Sequence, residues 1–396
     1  MRKFNIVIPT KDRCETLEWT LRSCLAIEYP NFEIIVSDNC SEDQTSEIVQ
    51  SFSDSRIKYY RTPKKLGMTA NWEFALSKVQ EGMVSILGDD DAFMPDSLQR
   101  INRLLDESQA DAIAWKQSFY RWPSNHFVRI KNLLSIPFDR KVEIRHGQRE
   151  LEFLLALKRL PADMPWLYAG FVDIKYIRQI KDSCEGNFFF SKIPDIYSSI
   201  VLASVIDRYV FSSYPLSIAG HSSKSNGAAQ IQSSEHVVEQ NTQFLKESIS
   251  HPFHEKLEFV HVYPVLIWEC YLQAKEKNII PDGIQFNAQF MLDEAVRDCI
   301  RLNFLDRDKD LLRAIAMKNN LRLRMPEYKT MVRLANKSYK VKTYLSTWLS
   351  NHFLMCDEYG IHNIYEAANH HRSLEQKVTS RWQLILGNIQ LLFKTL

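Results

Sequence analysis

The chain has 396 residues, long enough for about two to three domains of roughly 150 residues each and for a substantial buried core. Its composition, 45% hydrophobic and 25% charged with a formal net charge of +2, is that of an ordinary globular protein and gives no general case for nucleic-acid binding. The seven cysteines are scattered, odd in number and without a CxxC pair, which argues against a disulfide framework or a structural zinc site and for a reducing compartment.

The N-terminal "MRKFNIVIPTKD" reaches charged residues too soon for a secretory signal, and no later apolar run approaches the roughly 18 residues that cross a bilayer. A cytoplasmic protein is expected, soluble or peripheral at the inner face of the membrane. "FNIVIPT" (4–10) reads as a buried strand stopped by Pro9 and polar residues. "CETLEWTLRSCLAI" carries Leu17, Leu21 and Leu25 at helical spacing, and "YPNF" breaks it before a second strand, "EIIVSDN" (33–39). Ser41 is a candidate N-cap for a helix over 41–52, "RIKYYRT" (56–62) a third strand, "MTANWEFALSKV" (68–79) another amphipathic helix and "MVSILG" (83–88) a fourth strand. Strands alternating with helices imply an α/β fold: a mostly parallel sheet with helices on both faces and right-handed crossovers.

In such sheets ligands bind beyond the carboxyl ends of the strands. Three polar clusters, "PTKDR", "SDN" and "GDDD", should therefore converge on one edge. Asp89, Asp90 and Asp91 repel one another, so the cluster is either a solvated turn or a site for a cation that offsets the repulsion. Oxygen ligands next to a diphosphate favour Mg²⁺ or Mn²⁺. Asp38 and Asn39 can face a nucleobase or ribose, with Thr10, Asp12 and Arg13 lining the same cleft. Neither G-x-x-x-x-G-K-[ST] nor a G-x-G-x-x-G after the first strand is present, which disfavours P-loop nucleotidases and dinucleotide oxidoreductases.

"IVIPTKDRCETL", "EIIVSDNCSEDQT", "LGMTANWEFAL" and "ILGDDDAFMPDSL" together resemble the successive motifs of family 2 glycosyltransferases with the GT-A fold, closely over residues 4–100 and more weakly to about 227. The resemblance implies that Pro9, Thr10, Asp12, Arg13, Asp38, Asn39, Gly67 and Asn71 bind a nucleotide-sugar donor, UDP-linked in many members. It implies that a D-x-D element holds the divalent ion. Gly88 stands where the first Asp of that element usually sits, so Asp90 matches the metal-binding Asp, with Asp91 beside it as a further candidate metal ligand and Asp89, at the variable position, a candidate donor contact in place of the first Asp. Asp195, after Pro194, resembles the family's catalytic base, though its place also suits a helix-terminal residue facing the dipole. "YPLSIAGHSSKSNG" reads as a flexible loop over a phosphate site, with His221 a candidate metal or diphosphate ligand and Lys224 a counter-charge for the leaving group. Inversion at the anomeric carbon rests on the resemblance alone.

From about residue 235 helical patterns take over: "EHVVEQNTQFLKESI", "AQFMLDEAVRDCIRLNFL" and "KDLLRAIAMKNNL". A division into a catalytic domain over 1–230 and a mainly α-helical region over 231–396 is expected. Seven basic residues and one acid between Arg322 and Lys342 suit anionic lipid or a lipid-linked acceptor, or a solvated face. A stripe of Trp382, Ile385, Leu386, Ile389, Leu392 and Phe393 suits packing against protein or an interfacial position. Tyr120, Trp122 and Trp166 are candidates to line a saccharide acceptor cleft. The leading reading is a metal-dependent glycosyltransferase of bacterial surface-polysaccharide assembly, acting on a saccharide or lipid-linked saccharide. The competing readings are nucleotidyl transfer at the same kind of site and a non-catalytic nucleotide-sugar-binding scaffold. The sequence carries no signal of oligomeric state.

Overall fold

The computed structural model describes residues 1–125, 128, 130–225, 250–325, 345–376, 380 and 383–389. Strands β1 (Phe4–Thr10), β2 (Phe32–Asp38), β3 (Ile57–Arg61) and β4 (Met83–Ile86) alternate with helices α1 (Cys14–Leu25), α2 (Thr45–Ser51) and α3 (Met68–Leu76). β1 pairs in parallel with β2 on one side and β4 on the other, and β3 extends the sheet beyond β2. Alternation along β1 divides the core. Ile6 and Ile8 pack with Leu17 and Leu21 of α1, whereas Val7 packs with Trp72 and Ala75 of α3. The two clusters therefore lie on opposite faces of the sheet. Each fully buried Leu or Ile contributes about 1.5–3 kcal/mol of burial.

After β5 (Ala92–Phe93) and α4 (Ser97–Ser108) come β6 (Ala112–Trp115), β7 (Ser118–Arg121), β8 (Leu133–Pro137), β9 (Val142–His146) and α5 (Gly147–Leu155). β10 (Gly170–Asp173), α6 (Ile174–Ser183), α7 (Pro194–Val205), β11 (Arg208–Ser212) and β12 (Ser217–His221) follow. The large sheet runs β3, β2, β1, β4, β10, β6, β11, β9, and only β10 and β9 are antiparallel to their neighbours. This is the expected GT-A type α/β arrangement. The chain passes from β6 to β7 and from β11 to β12 into a second sheet, ordered β13 (Asn351–Met355), β8, β7, β12, β5, which the sequence reading did not anticipate.

Of the later residues, α8 (Tyr263–Glu276), α9 (Ala288–Arg301) and α10 (Leu305–Lys318) are helical and join the cluster that contains α3 and α7. The continuous helix expected over 288–305 is split at Asn303, whose φ of 63° a helix does not accommodate. β13 (Asn351–Met355) pairs antiparallel with β8, and α11 (Ile364–Gln376) packs on α1, so this part returns to the N-terminal fold. The helix expected over 235–249, residues 326–342 of the basic stretch, the expected boundary at 230/231 and Trp382, Leu392 and Phe393 lie outside the described residues. Among the described residues no helix is long and apolar enough to cross a membrane. All seven cysteines are free.

The helix expected from Ser41 starts at Thr45 instead. Ser41 is consumed by tertiary bonds: its N–H donates to Asp38 at 2.8 Å, its carbonyl accepts from Arg61 at 2.8 Å, and its hydroxyl accepts from the Asp12 N–H at 2.9 Å. Asp43 takes over the terminus, accepting from the Thr45 N–H at 3.0 Å.

The seam between α11 and the second sheet contains a fully buried histidine. His371 Nε2 lies 2.8 Å from the Ser118 hydroxyl, and burial, with Arg140 assisting, pushes the imidazole down to about 3. The unfolded chain takes up this proton near pH 6.5 and the native state does not, so the contribution is complete above that pH and is lost as pH falls toward 3. Wild type should lose about 2 kcal/mol more than a His371→Gln variant between pH 7.5 and 5.0 in urea unfolding.

Candidate active site

The carboxyl ends of β1, β2 and β4 carry the three polar clusters, and the turn after β4 is bonded to the cluster after β1. All three aspartates are buried, and each is held by a different part of the chain. Asp89 accepts from the Thr10 hydroxyl at 2.8 Å and from Arg13 at 2.9 Å, so it closes onto β1. Burial raises its carboxyl, with Arg13 opposing. On Arg13 burial works against the charge, but Asp89 and Asp90 more than offset it.

Asp90 closes onto the segment after β12. Its Oδ2 accepts from the Ser222 hydroxyl at 2.7 Å and from the Ser225 hydroxyl. Its carbonyl accepts from the Trp122 indole at 3.1 Å. No described group bonds its Oδ1. Asp91 has both oxygens engaged: Oδ1 accepts from the Gly220 N–H at 2.7 Å, and Oδ2 from the Tyr168 hydroxyl at 2.7 Å and the Gly88 N–H at 3.2 Å. Burial, with Asp90 adding to it, pushes its carboxyl up to about 7.

Two glycines are required here. A Cβ on Gly88 would lie 2.8 Å from both Asp91 Oδ2 and the Tyr168 hydroxyl, so a side chain here would collide with that bonded pair. A Cβ on Gly220 would come within 1.7 Å of the Asp90 carbonyl.

The segment expected to be a flexible loop is pinned as far as residue 225. Lys224 donates to the Asp12 carbonyl at 2.8 Å and its own carbonyl accepts from Arg13, a reciprocal clasp between β1 and β12. Asp12 has a φ of 53° and accepts from the Glu42 N–H at 2.7 Å. His221, half-buried, lies against Phe119 with ring centres 5.5 Å apart, and burial lowers its pKa while Asp90 opposes this.

The β2 residues form a separate knot. Asp38, fully buried, takes Tyr59 at 2.5 Å and Arg61 at 3.0 Å on Oδ2. Asn39 donates to the Leu66 carbonyl and accepts from the Leu66 N–H, both at 2.8 Å, fixing the approach to Gly67. Asn71 accepts from Ser37 at 2.7 Å. These side chains are committed to shaping the wall: none of Asp38, Asn39 and Asn71 is exposed, so a nucleobase contact at Asp38 is not available in this conformation. Pro9 sits in β1 opposite Ser37.

Asp195 is half-buried in the first turn of α7, near enough to Tyr168 for its charge to act on that phenol. The Tyr168 phenol is raised by burial and by the charges of Asp91, Asp90 and Asp195, of which Asp91 is bonded to it. Tyr168 stacks on Trp72, ring centres 6.2 Å apart, and meets Trp166 edge-on at 5.5 Å. Burial raises the Asp195 carboxyl, and among the described residues it has no ion-pair partner. Tyr263, 56% exposed at the start of α8, lies close enough for its phenol to feel Asp195. Tyr120, Trp122 and Trp166, expected in an acceptor cleft, are at most 6% exposed and serve packing. Tyr168, Ser222, Ser225 and Gly220 escaped the sequence reading, since nothing local marks them as partners of residues 88–91.

Among the described residues no three His, Cys, Asp or Glu side chains form a metal cluster. Asp89 and Asp91 are spent on protein donors, leaving Asp90 Oδ1 with His221 nearby. Mg²⁺ commonly takes one or two carboxylates together with substrate phosphates. The residues present thus fit an ion that arrives with a diphosphate, not a cage built by protein alone.

The chain thus carries a GT-A type α/β sheet with a buried aspartate turn at the carboxyl end of its fourth strand. Residues 5–158 match the family described as glycosyl transferase family 2. The chain is 32% identical over 113 residues to the GalNAc(5)-diNAcBac-PP-undecaprenol beta-1,3-glucosyltransferase of Campylobacter jejuni, covering 28% of this chain and 37% of that protein. It is 38% identical over 109 residues to the abequosyltransferase RfbV of Salmonella typhimurium, covering 26% and 32%. It is 30% identical over 95 residues to the UDP-Glc:alpha-D-GlcNAc-diphosphoundecaprenol beta-1,3-glucosyltransferase WfgD of Escherichia coli, covering 24% and 38%. The chain thus spans between 32% and 38% of the length of these relatives. The crystal structure of S. aureus TarS 1-349 in complex with UDP-GlcNAc aligns over 86% of this chain and 92% of that one at 15% identity, with a TM-score of 0.45, a likeness too low to carry weight.

Gly220→Ala should cost about 2 kcal/mol or more, because the displaced atom is the Asp90 backbone carbonyl rather than a yielding side chain. Urea unfolding of the two proteins measures it. A variant as stable as wild type would show that the approach of β12 to the aspartate turn is not required.

Proposed function

We propose that the protein is a metal-dependent glycosyltransferase that moves a sugar from a nucleotide donor, UDP-linked, to a saccharide or lipid-linked saccharide in polysaccharide assembly. The observation that carries this reading is Asp90 Oδ1, the oxygen of the aspartate turn that no described group bonds, at a strand edge that also presents Arg13 and Lys224. The names of the Campylobacter and Escherichia relatives, with their undecaprenol diphosphate acceptors and, in one, a UDP-linked donor, support it.

In this reading Thr10, Asp12 and the 38–41 turn line the nucleotide, and Asp38, Asn39, Gly67 and Asn71 act by fixing the wall around it. Asp90 and His221 would hold Mn²⁺ or Mg²⁺, which when bound offsets the diphosphate charge. Arg13 and Lys224 add positive charge beside the leaving group. Asp195 accepts the proton of the acceptor hydroxyl as its oxygen bonds to the anomeric carbon. The bond from that carbon to the diphosphate oxygen breaks in the same displacement, and the configuration inverts.

Asp89 and Asp91 are then structural carboxylates that hold Asp90 in place. The base reading of Asp195 has a physical rationale in its surroundings, which raise its proton affinity toward the range where a base works near neutral pH. Activity should fall off on the acid side at a pH above the ordinary carboxylate range. Asp195→Asn should lower kcat by about 10²-fold or more with little change in donor affinity.

UDP binding by calorimetry, with Mn²⁺ and with a chelator, tests the donor site. Binding should require the ion and should be lost in Asp90→Asn. UDP that binds equally well with the chelator, or to the variant, overturns the metal assignment; no UDP binding under any condition overturns the uridine assignment.

A further inference from the structure

A second polar site lies on the other face of the large sheet. α4 packs there with α1, opposite the face that carries α3 and α7. Between α4, the β8–β9 connection, the β11–β12 connection and α11 is a cavity of about 760 Å³. Among the described residues four arginines line it, Arg100, Arg103, Arg140 and Arg372, against two carboxylates, Asp139 and Glu375. A guanidinium presents paired N–H donors that match two oxygens of a phosphate at once.

The cations are arranged and not merely crowded. Arg100 and Arg140 lie over the ring of Tyr214, 4.5 and 5.1 Å from its centre. Glu375 is fully used, accepting from the Tyr214 hydroxyl at 2.9 Å and from Arg140 at 2.5 Å. Arg100 and Arg372 share Asp96. Arg103 reaches Glu107 only at 3.9 Å, with both side chains 65% exposed, a contact worth little. Arg372 Nε is buried with no hydrogen-bond acceptor among the described residues. Burial lowers the proton affinity of Arg372, with Glu375 and Glu28 opposing.

We propose that this cavity binds a phosphate or diphosphate group, carried by a soluble ester or by a lipid headgroup, at a site separate from the candidate active site. Arg103 provides the open rim, and Arg100, Arg140 and the half-buried Arg372 line the wall.

Inorganic pyrophosphate titrated calorimetrically into the full chain with EDTA present tests the soluble source, and co-sedimentation with phosphatidylglycerol vesicles tests the headgroup. Arg103→Gln should weaken whichever interaction occurs by about tenfold, and Arg103→Glu should abolish it. Because Arg103 is exposed, both variants should keep the wild-type melting temperature within a few degrees. Pyrophosphate binding that responds to the variants identifies a soluble ligand, and vesicle binding that responds identifies a headgroup. Absence of both interactions in wild type, or interactions that neither variant alters, overturns the proposal.

Discussion

Burying three consecutive carboxylates is the constraint on which the rest of this structure turns. An ionised carboxylate taken out of water costs several kcal/mol unless donors replace the lost hydration, and adjacent ones repel. Here the donors come from separate places: Thr10 and Arg13 after β1, Ser222 and Ser225 after β12, and Tyr168 before β10 with the N–H groups of Gly88 and Gly220. The turn's own carbonyls are taken up too, Asp90 by Trp122 and Asp91 by the Thr20 hydroxyl at 2.8 Å. The turn is therefore stable only when both sheets and α1 are already assembled around it.

That dependence has a chemical result. Of six carboxylate oxygens, those of Asp89 and Asp91 and one of Asp90 are claimed by protein donors. Repulsion within the turn is dispersed among neighbours, and the remaining oxygen is held in one orientation. A site built this way is preorganised: its geometry is supplied by folding and not by the ligand. The Tyr168 ring then connects the turn to the opposite wall, since it bonds Asp91 at one end and stacks on Trp72 of α3 along its face.

The alternating strands and helices of residues 4–88 were legible because each strand is a short β-branched run and each helix has apolar residues at helical spacing. The convergence of the strand ends followed from topology. Which carboxylate stays free was not legible, because the deciding partners stand about 80 to 135 residues away at Tyr168, Ser222 and Ser225. Ser41 misled for the same reason: as a local signal it is a helix cap, but tertiary donors and acceptors claim it first. The second sheet was missed because its strands are two to five residues long, too short for periodicity to speak. β13 was hidden within a region otherwise dominated by helices.

The later helices bear on the site through the same principle of one buried acid held by distant donors. Glu269 of α8, fully buried, accepts from Gln273 at 2.9 Å and from the Ser191 hydroxyl. Burial pushes its carboxyl up to about 6, with those hydrogen bonds opposing. Ser191 in turn uses its carbonyl to accept from Thr69 of α3 at 2.9 Å, and its hydroxyl accepts from the Ile193 N–H at 3.1 Å. One residue therefore joins α3, α8 and the approach to α7, four positions before Asp195. The first turn of α7 cannot shift without breaking bonds to both neighbours. The position of the candidate base is thus set jointly by a helix of the family 2 segment and by a helix nearly two hundred residues later in the chain, outside that segment. An account of the site that stopped at residue 158 would leave its second wall without support.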